Sequence, residues 1–105
     1  VDSQQMSAVR KAVLSVLYEN RNDDLSPERL YIKVLRHMLP KIPEEHLVKS
    51  VLDKLVNEGY AVFKEDITGN PIVKISPKGM ELSEKEVEQF KRTVDKLATK
   101  LNNAQ

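Results

Sequence analysis

Apolar positions recur along this chain first with a helical period and later with a strand period. From Ser3 to about Asn20, Val9, Ala12, Val13, Val16 and Leu17 follow i, i+3, i+4, i+7 spacing, which turns one face of a helix toward a core. The polar run Asn20-Arg21-Asn22-Asp23-Asp24 ends it. A second helix opens at Ser26-Pro27-Glu28. Serine suits the N-cap, proline loses no needed N–H at the first helical position, and glutamate favours the positive end of the helix dipole. Leu30, Val34 and Met38, with Tyr31 and Leu35 beside them, form its inward stripe, and Pro40 stops it. After the turn Pro40-Lys41-Ile42, a third helix starts at Pro43-Glu44-Glu45; Leu47, Val48, Val51, Leu52 and Leu55 face inward, and Gly59 supplies a left-handed C-terminal cap.

The period then shortens. Tyr60–Lys64 and Ile72–Ser76 are short strand-type runs on either side of Glu65-Asp66-Ile67-Thr68-Gly69-Asn70-Pro71, where Gly69-Asn70 is a hairpin signal. Ser76-Pro77-Lys78-Gly79 punctuates the exit. Ser83-Glu84-Lys85-Glu86 has the form of a capping box, so the last helix is expected to open at Ser83 and run to about Leu101. Within it Val87, Phe90, Val94, Leu97 and Leu101 step by 3, 4, 3, 4, and only Ala98 widens the stripe. That is an a/d seam, narrower than a helix packing on its own domain usually shows. It predicts a dimerisation helix over residues 83–101; packing against the first helix is the alternative.

The order helix, helix, helix, hairpin, helix gives an α+β fold that is mainly α. A two-stranded hairpin is unstable alone, so it must lie against the helical core. At 105 residues, the chain fits a single domain spanning 1–105. Hydrophobic residues make up 40% and charged residues 31%, a globular balance, and the scarcity of aromatics leaves a core of Leu, Val and Ile. There is no cysteine, which excludes disulfide frameworks, Cys-based zinc sites and thiol nucleophiles and agrees with a cytoplasmic location. No apolar run approaches the roughly 20 residues that span a bilayer, so no membrane association is expected. A net charge of +1 does not by itself argue for nucleic acid, so that argument rests on where the charges sit.

From Ser26 to Gly79 the chain resembles winged helix-turn-helix domains of bacterial transcription regulators, particularly the PadR and MarR-like groups. The resemblance is carried by Leu52-x-x-Leu55-x-x-x-Gly59-Tyr60, by the Gly69-Asn70 wing tip and by Ile75-Ser76-Pro77-Lys78-Gly79 after the second wing strand. It implies a winged-helix fold in which the helix before the wing enters the DNA major groove and the wing contacts backbone or minor groove. The helix 43–58 would then be the recognition helix. Its side opposite the apolar set carries His46, Lys49, Ser50, Asp53 and Asn57, with Lys54 at the border.

On that reading His46, Ser50 and Asn57 can hydrogen-bond base edges, and Lys49 and Lys54 can neutralise phosphate. Lys64 and Lys74 would act from the wing, with Lys78 a further candidate. Lys33, Arg36 and Lys41 would anchor the phosphate backbone that the second helix of a helix-turn-helix crosses. Asp53, Glu44 and Glu45 oppose this, and an ordinary solvated helix face is the alternative. Joined along Val87, Phe90, Val94, Leu97 and Leu101, a homodimer would present two recognition helices to successive major grooves of double-stranded DNA. The competing expectation is a winged-helix interaction or assembly module whose third and last helices bind protein partners.

No enzymatic arrangement is evident. His37 and His46 are the only side chains whose unperturbed pKa lies near neutrality, and no serine sits in a nucleophile elbow. Asn20-x-Asn22-x-Asp24 starts like a calcium loop, but Leu25 replaces the glycine and Tyr31 the bidentate glutamate. Neither a metal nor a cofactor is expected.

Overall fold

The computed structural model describes residues 3–103. Its elements follow in the order α1 (Ser3–Glu19), α2 (Pro27–Met38), α3 (Glu45–Asn57), β1 (Ala61–Glu65), β2 (Pro71–Ile75) and α4 (Pro77–Asn103). Helix α1 packs on both α2 and α3 and also meets β2 and the start of α4. Its Val9, Val13 and Leu17 lie with Leu30, Val34, Leu55 and Val73 among the most deeply buried side chains. The core is the aliphatic one that the composition requires.

The local chemistry of the ends is legible. Ser26 accepts a hydrogen bond from Arg29 N at 3.2 Å, with Pro27 as the first residue of α2. Leu39 is extended, as a residue before proline prefers, and α2 stops at Met38. Helix α3 begins later than the sequence suggests: Glu44 is its N-cap, and Pro43 lies outside the helix. At its other end Gly59 takes φ +85°. Tyr60 N donates to Leu55 O at 2.9 Å and Gly59 N to Val56 O at 3.0 Å, a Schellman closure that satisfies the free carbonyls.

The hairpin is antiparallel, with Ala61 opposite Ile75 and Glu65 opposite Pro71, each strand displaced by one residue from the expected bounds. Asp66 builds the turn: its Oδ1 accepts from Thr68 N, Thr68 Oγ1 and Asn70 N at 2.7–2.9 Å, while Gly69 sits at φ +86°. Those hydrogen bonds, led by that from the Thr68 hydroxyl, hold the Asp66 carboxyl below the ordinary aspartate pKa. Val73 N donates to Leu25 O at 2.8 Å, so the loop before α2 clips the wing to the body.

The last helix corrects the sequence reading. It opens at Ser76, not Ser83. Ser76 Oγ accepts from Gly79 N at 3.0 Å and donates to Gly59 O at 2.6 Å, and Met80 N reaches Ser76 O at 2.9 Å. Ser83 lies inside the helix, buried, and its hydroxyl finds no hydrogen-bond partner among the described residues. Gly79 lets α4 touch the wing base: a Cβ there would collide with the Tyr60 carbonyl and lie 2.7 Å from Ile75 Cγ1. From Glu84 onward every described residue of α4 is exposed, so α1 does not cover the seam.

Candidate nucleic-acid interface

The five buried side chains of α3 (Leu47, Val48, Val51, Leu52 and Leu55), with Val56 packed beside them, pin one face of the helix, and geometry sends the polar positions outward. His46, Lys49, Ser50, Asp53, Lys54 and Asn57 are all exposed on that open side. The structure therefore brings together the residues expected to read and hold DNA from α3. His46 Nδ1 lies 3.2 Å from Glu44 Oε2, both well exposed, so the first turn of α3 partly ties up its histidine. Lys54 borders a small cleft with Met6, Ser7, Arg10 and Val51, at the side of the helix nearest α1.

The remaining candidates scatter. Lys33 and Arg36 line a cleft between α1 and α2 with Val16, Glu19, Asn20 and His37, a surface to which α3 contributes nothing. Lys41 lies in a cleft with Gln4, Gln5, Ala8, Met38, Ile42 and Pro43, at the turn before α3. Of the wing lysines, Lys64 is exposed, whereas Lys74 turns back to Asp24 at 3.4 Å and is largely covered. Lys78 is engaged inside the domain. Its Nζ donates to Glu58 O at 2.9 Å and sits 4.6 Å from the centre of the Tyr60 ring.

Tyr60 has a second cation, Arg10, whose guanidinium lies 5.4 Å from the ring centre. Arg10 also grips Glu58 with two hydrogen bonds, at 3.1 and 3.0 Å, joining α1 to the end of α3. That hydrogen bonding, aided by the charges of Arg10, Lys54 and Lys78, holds the Glu58 carboxyl below the ordinary glutamate value. The knot of Arg10, Glu58, Tyr60, Ser76 and Lys78 fixes the angle between α3 and the wing. Nothing in the linear sequence announces it, because its members come from α1, α3, the wing base and α4.

Along α4 the a/d residues Val87, Phe90, Val94, Leu97 and Leu101 are 46–70% exposed, a continuous apolar stripe that no other described element covers. Among the described residues, no group of three or more His, Cys, Asp or Glu is placed to hold a metal, and no helix is long and apolar enough to cross a membrane.

Neither a protein-family model nor a curated protein matches the sequence. Solved structures do match the fold. MepR of Staphylococcus aureus, a transcription regulator of the multidrug efflux pump MepA, superposes with a TM-score of 0.74 at 15% identity, over 88% of this chain and 63% of that one. This chain thus spans just under two thirds of that MepR chain. MepR in complex with DNA matches with a TM-score of 0.60 at 17% identity, over 97% and 85%. A winged-helix DNA-binding protein from STIV gives 0.63 at 24% identity, over 79% and 87%. A transcriptional regulator from Clostridium thermocellum gives 0.64 at 18% identity, over 94% and 96%. Three helices, a two-stranded wing and a long closing helix, aligned with these structures, make the fold a winged helix.

Proposed function

We propose that the chain is a DNA-binding transcription regulator of the winged-helix kind, working as a homodimer in the cytoplasm, with no catalytic step of its own. The observation that carries this reading is the open polar face of α3, held beside the β-hairpin by the Arg10–Glu58–Tyr60–Lys78 knot. The fold neighbours, among them a regulator in complex with DNA, support it. His46, Ser50 and Asn57 read base edges in the major groove, while Lys49, Lys54 and the wing's Lys64 neutralise phosphates. Lys33, Arg36 and Lys41 stand off this face and contribute attraction at longer range, and Lys74 contributes little while it is paired with Asp24.

The partner proposed for the α4 seam is a second α4. Its charges are divided along its length: Glu81, Glu84, Glu86 and Glu88 against Lys78 and Lys85 before Phe90, then Lys91, Arg92, Lys96 and Lys100 against Asp95 after it. Parallel pairing would set like halves side by side, whereas antiparallel pairing sets each acidic half on a basic one, so the two helices run in opposite directions. With pairing centred between Phe90 and Val94 and a rise of about 1.5 Å per residue, the two copies of residue 100 stand about 25 Å apart. A parallel pair would bring them to about 10 Å. Spin labels on Lys100→Cys, in a chain without other cysteines, measure this distance directly. A short distance would refute the orientation; a monomeric mass in light scattering would refute the dimer.

The DNA reading is tested by titrating mixed duplex fragments across a salt series. Affinity should fall steeply with salt, and Lys49→Glu with Lys54→Glu should abolish it. Absence of binding to any duplex at low salt would end the proposal.

A further inference from the structure

An open groove of about 450 Å³ runs between α2, α3 and the first wing strand. Leu30, Val48 and Leu52, all buried, form its floor, and Tyr31 lines it. Ile32 and Phe63 stand on its flanks about half exposed, at 48% and 49%. The domain's own core leaves the apolar surface of Ile32 and Phe63 in water, and covering it would be favourable. The polar part of the wall is acidic: Glu28, Glu45 and Asp53, against the single cation Lys49. Duplex DNA suits neither property. Its phosphates meet three carboxylates, and its groove offers little apolar surface beyond thymine methyl groups. An apolar trough with a negative rim instead fits an amphipathic helix laid into it with its basic side outward.

We infer that this groove is a second docking site, taken by a basic amphipathic segment of a partner protein. The segment's apolar side chains lie between Tyr31, Ile32 and Phe63 over the groove floor, and its lysines or arginines meet Glu28, Glu45 and Asp53. The chain has a segment of similar character in the second half of α4, but the charge division of that helix matches it to another α4 instead. Lys49 and Asp53 belong both to the groove and to the open face of α3. An occupant and DNA therefore exclude each other, and a partner of this chemistry releases the protein from DNA. That consequence rests on the DNA reading; the docking itself does not.

The experiment uses the full chain, isotopically labelled, and two fluorescent 18-residue helical peptides with leucine along one face and either lysine or glutamate along the other. The leucine–lysine peptide should move the amide signals of Ile32, Leu52, Asp53 and Phe63, and should bind about tenfold or more tightly than the leucine–glutamate peptide, because like charges disfavour the latter. Glu28→Lys with Asp53→Lys, checked for unchanged helicity, should reverse that preference. Equal binding of the two peptides, signals that move along α4 instead, or a preference untouched by the double variant would overturn the site. Tighter binding in the groove by a peptide of this chain's residues 86–103 would overturn the foreign partner and make the occupant a second copy. If the leucine–lysine peptide docks as described and displaces bound duplex, both parts stand. If it docks while duplex is not bound at any salt, the DNA reading falls and the groove remains.

Discussion

Ser76 and Ser83 both carry helix-start chemistry, and replacing each by alanine should shift stability in opposite directions. Ser76→Ala removes the cap on Gly79 N, worth about 0.5–2 kcal/mol. It also removes the bond to Gly59 O, worth about 1 kcal/mol; Gly59 is at the surface, so water can replace that donor and the loss goes no further. The sum is a destabilisation of about 1.5–3 kcal/mol. Ser83→Ala removes a buried hydroxyl with no partner among the described residues and installs the best helix former. It should stabilise by about 0.5–1.5 kcal/mol. At about 4–8 °C per kcal/mol for a domain of this size, the two variants should melt at least about 8 °C apart. Urea unfolding followed by circular dichroism, at one fixed protein concentration because a dimer's midpoint depends on it, reads the same difference as a shift in midpoint at constant slope. If Ser83→Ala loses about 1 kcal/mol while Ser76→Ala is neutral, the helix starts at the capping box and the assignment here is wrong.

Two further outcomes test other contacts. Gly79→Ala, which in an open helix would gain about 1 kcal/mol, should instead lose about 2 kcal/mol, because the new methyl group meets the Tyr60 backbone and Ile75. Gly69→Ala, at positive φ but with open space around it, should lose only the roughly 1–2 kcal/mol of a left-handed alanine. Glu58 has a lowered pKa, so its pairing with Arg10 contributes stability above the ordinary value of about 4.5 and loses it as pH falls through the lower folded value. Arg10→Met should therefore differ from the parent in urea midpoint at pH 6 and converge toward it by pH 3; a gap independent of pH would show that packing, not charge, is what Arg10 supplies.

The elements were legible because periodicity reports burial directly: the a-face residues of α1, α2 and α3 are the core, and Gly59 and Gly69 take the left-handed angles their turns require. The start of α4 is hidden from the sequence because the local rule favours Ser83, with Glu86 three residues on, over Ser76, with Gly79 in that place. What decides is the contact of Ser76 with Gly59, 17 residues away, which no window along the chain contains. The lysines show the same limit. Lys74 reads as a wing contact and Lys78 as a further candidate, yet Asp24 and the Glu58 carbonyl engage them. The α2–α3–wing groove left a fainter trace, in that Ile32 is an apolar residue outside the inward stripe of α2.

Charge placement also links the seam to DNA in a measurable way. On the proposed DNA reading, Lys49, Lys54 and Lys64 would give one protomer about three phosphate contacts, and at a slope near 0.9 per contact its affinity would fall about 40-fold between 50 and 200 mM salt. Two protomers on one duplex have about six contacts and should lose about 2,000-fold over the same range. Phe90→Asp with Leu97→Asp places carboxylates in the α4 stripe, far from the α3 face, and should yield a monomer whose logarithmic salt slope is half the parent's. The dimer mass is read by light scattering on the same samples. A monomeric variant with the full parental slope would mean that one protomer alone makes all the phosphate contacts. The pairing of α4 would then have no part in binding DNA.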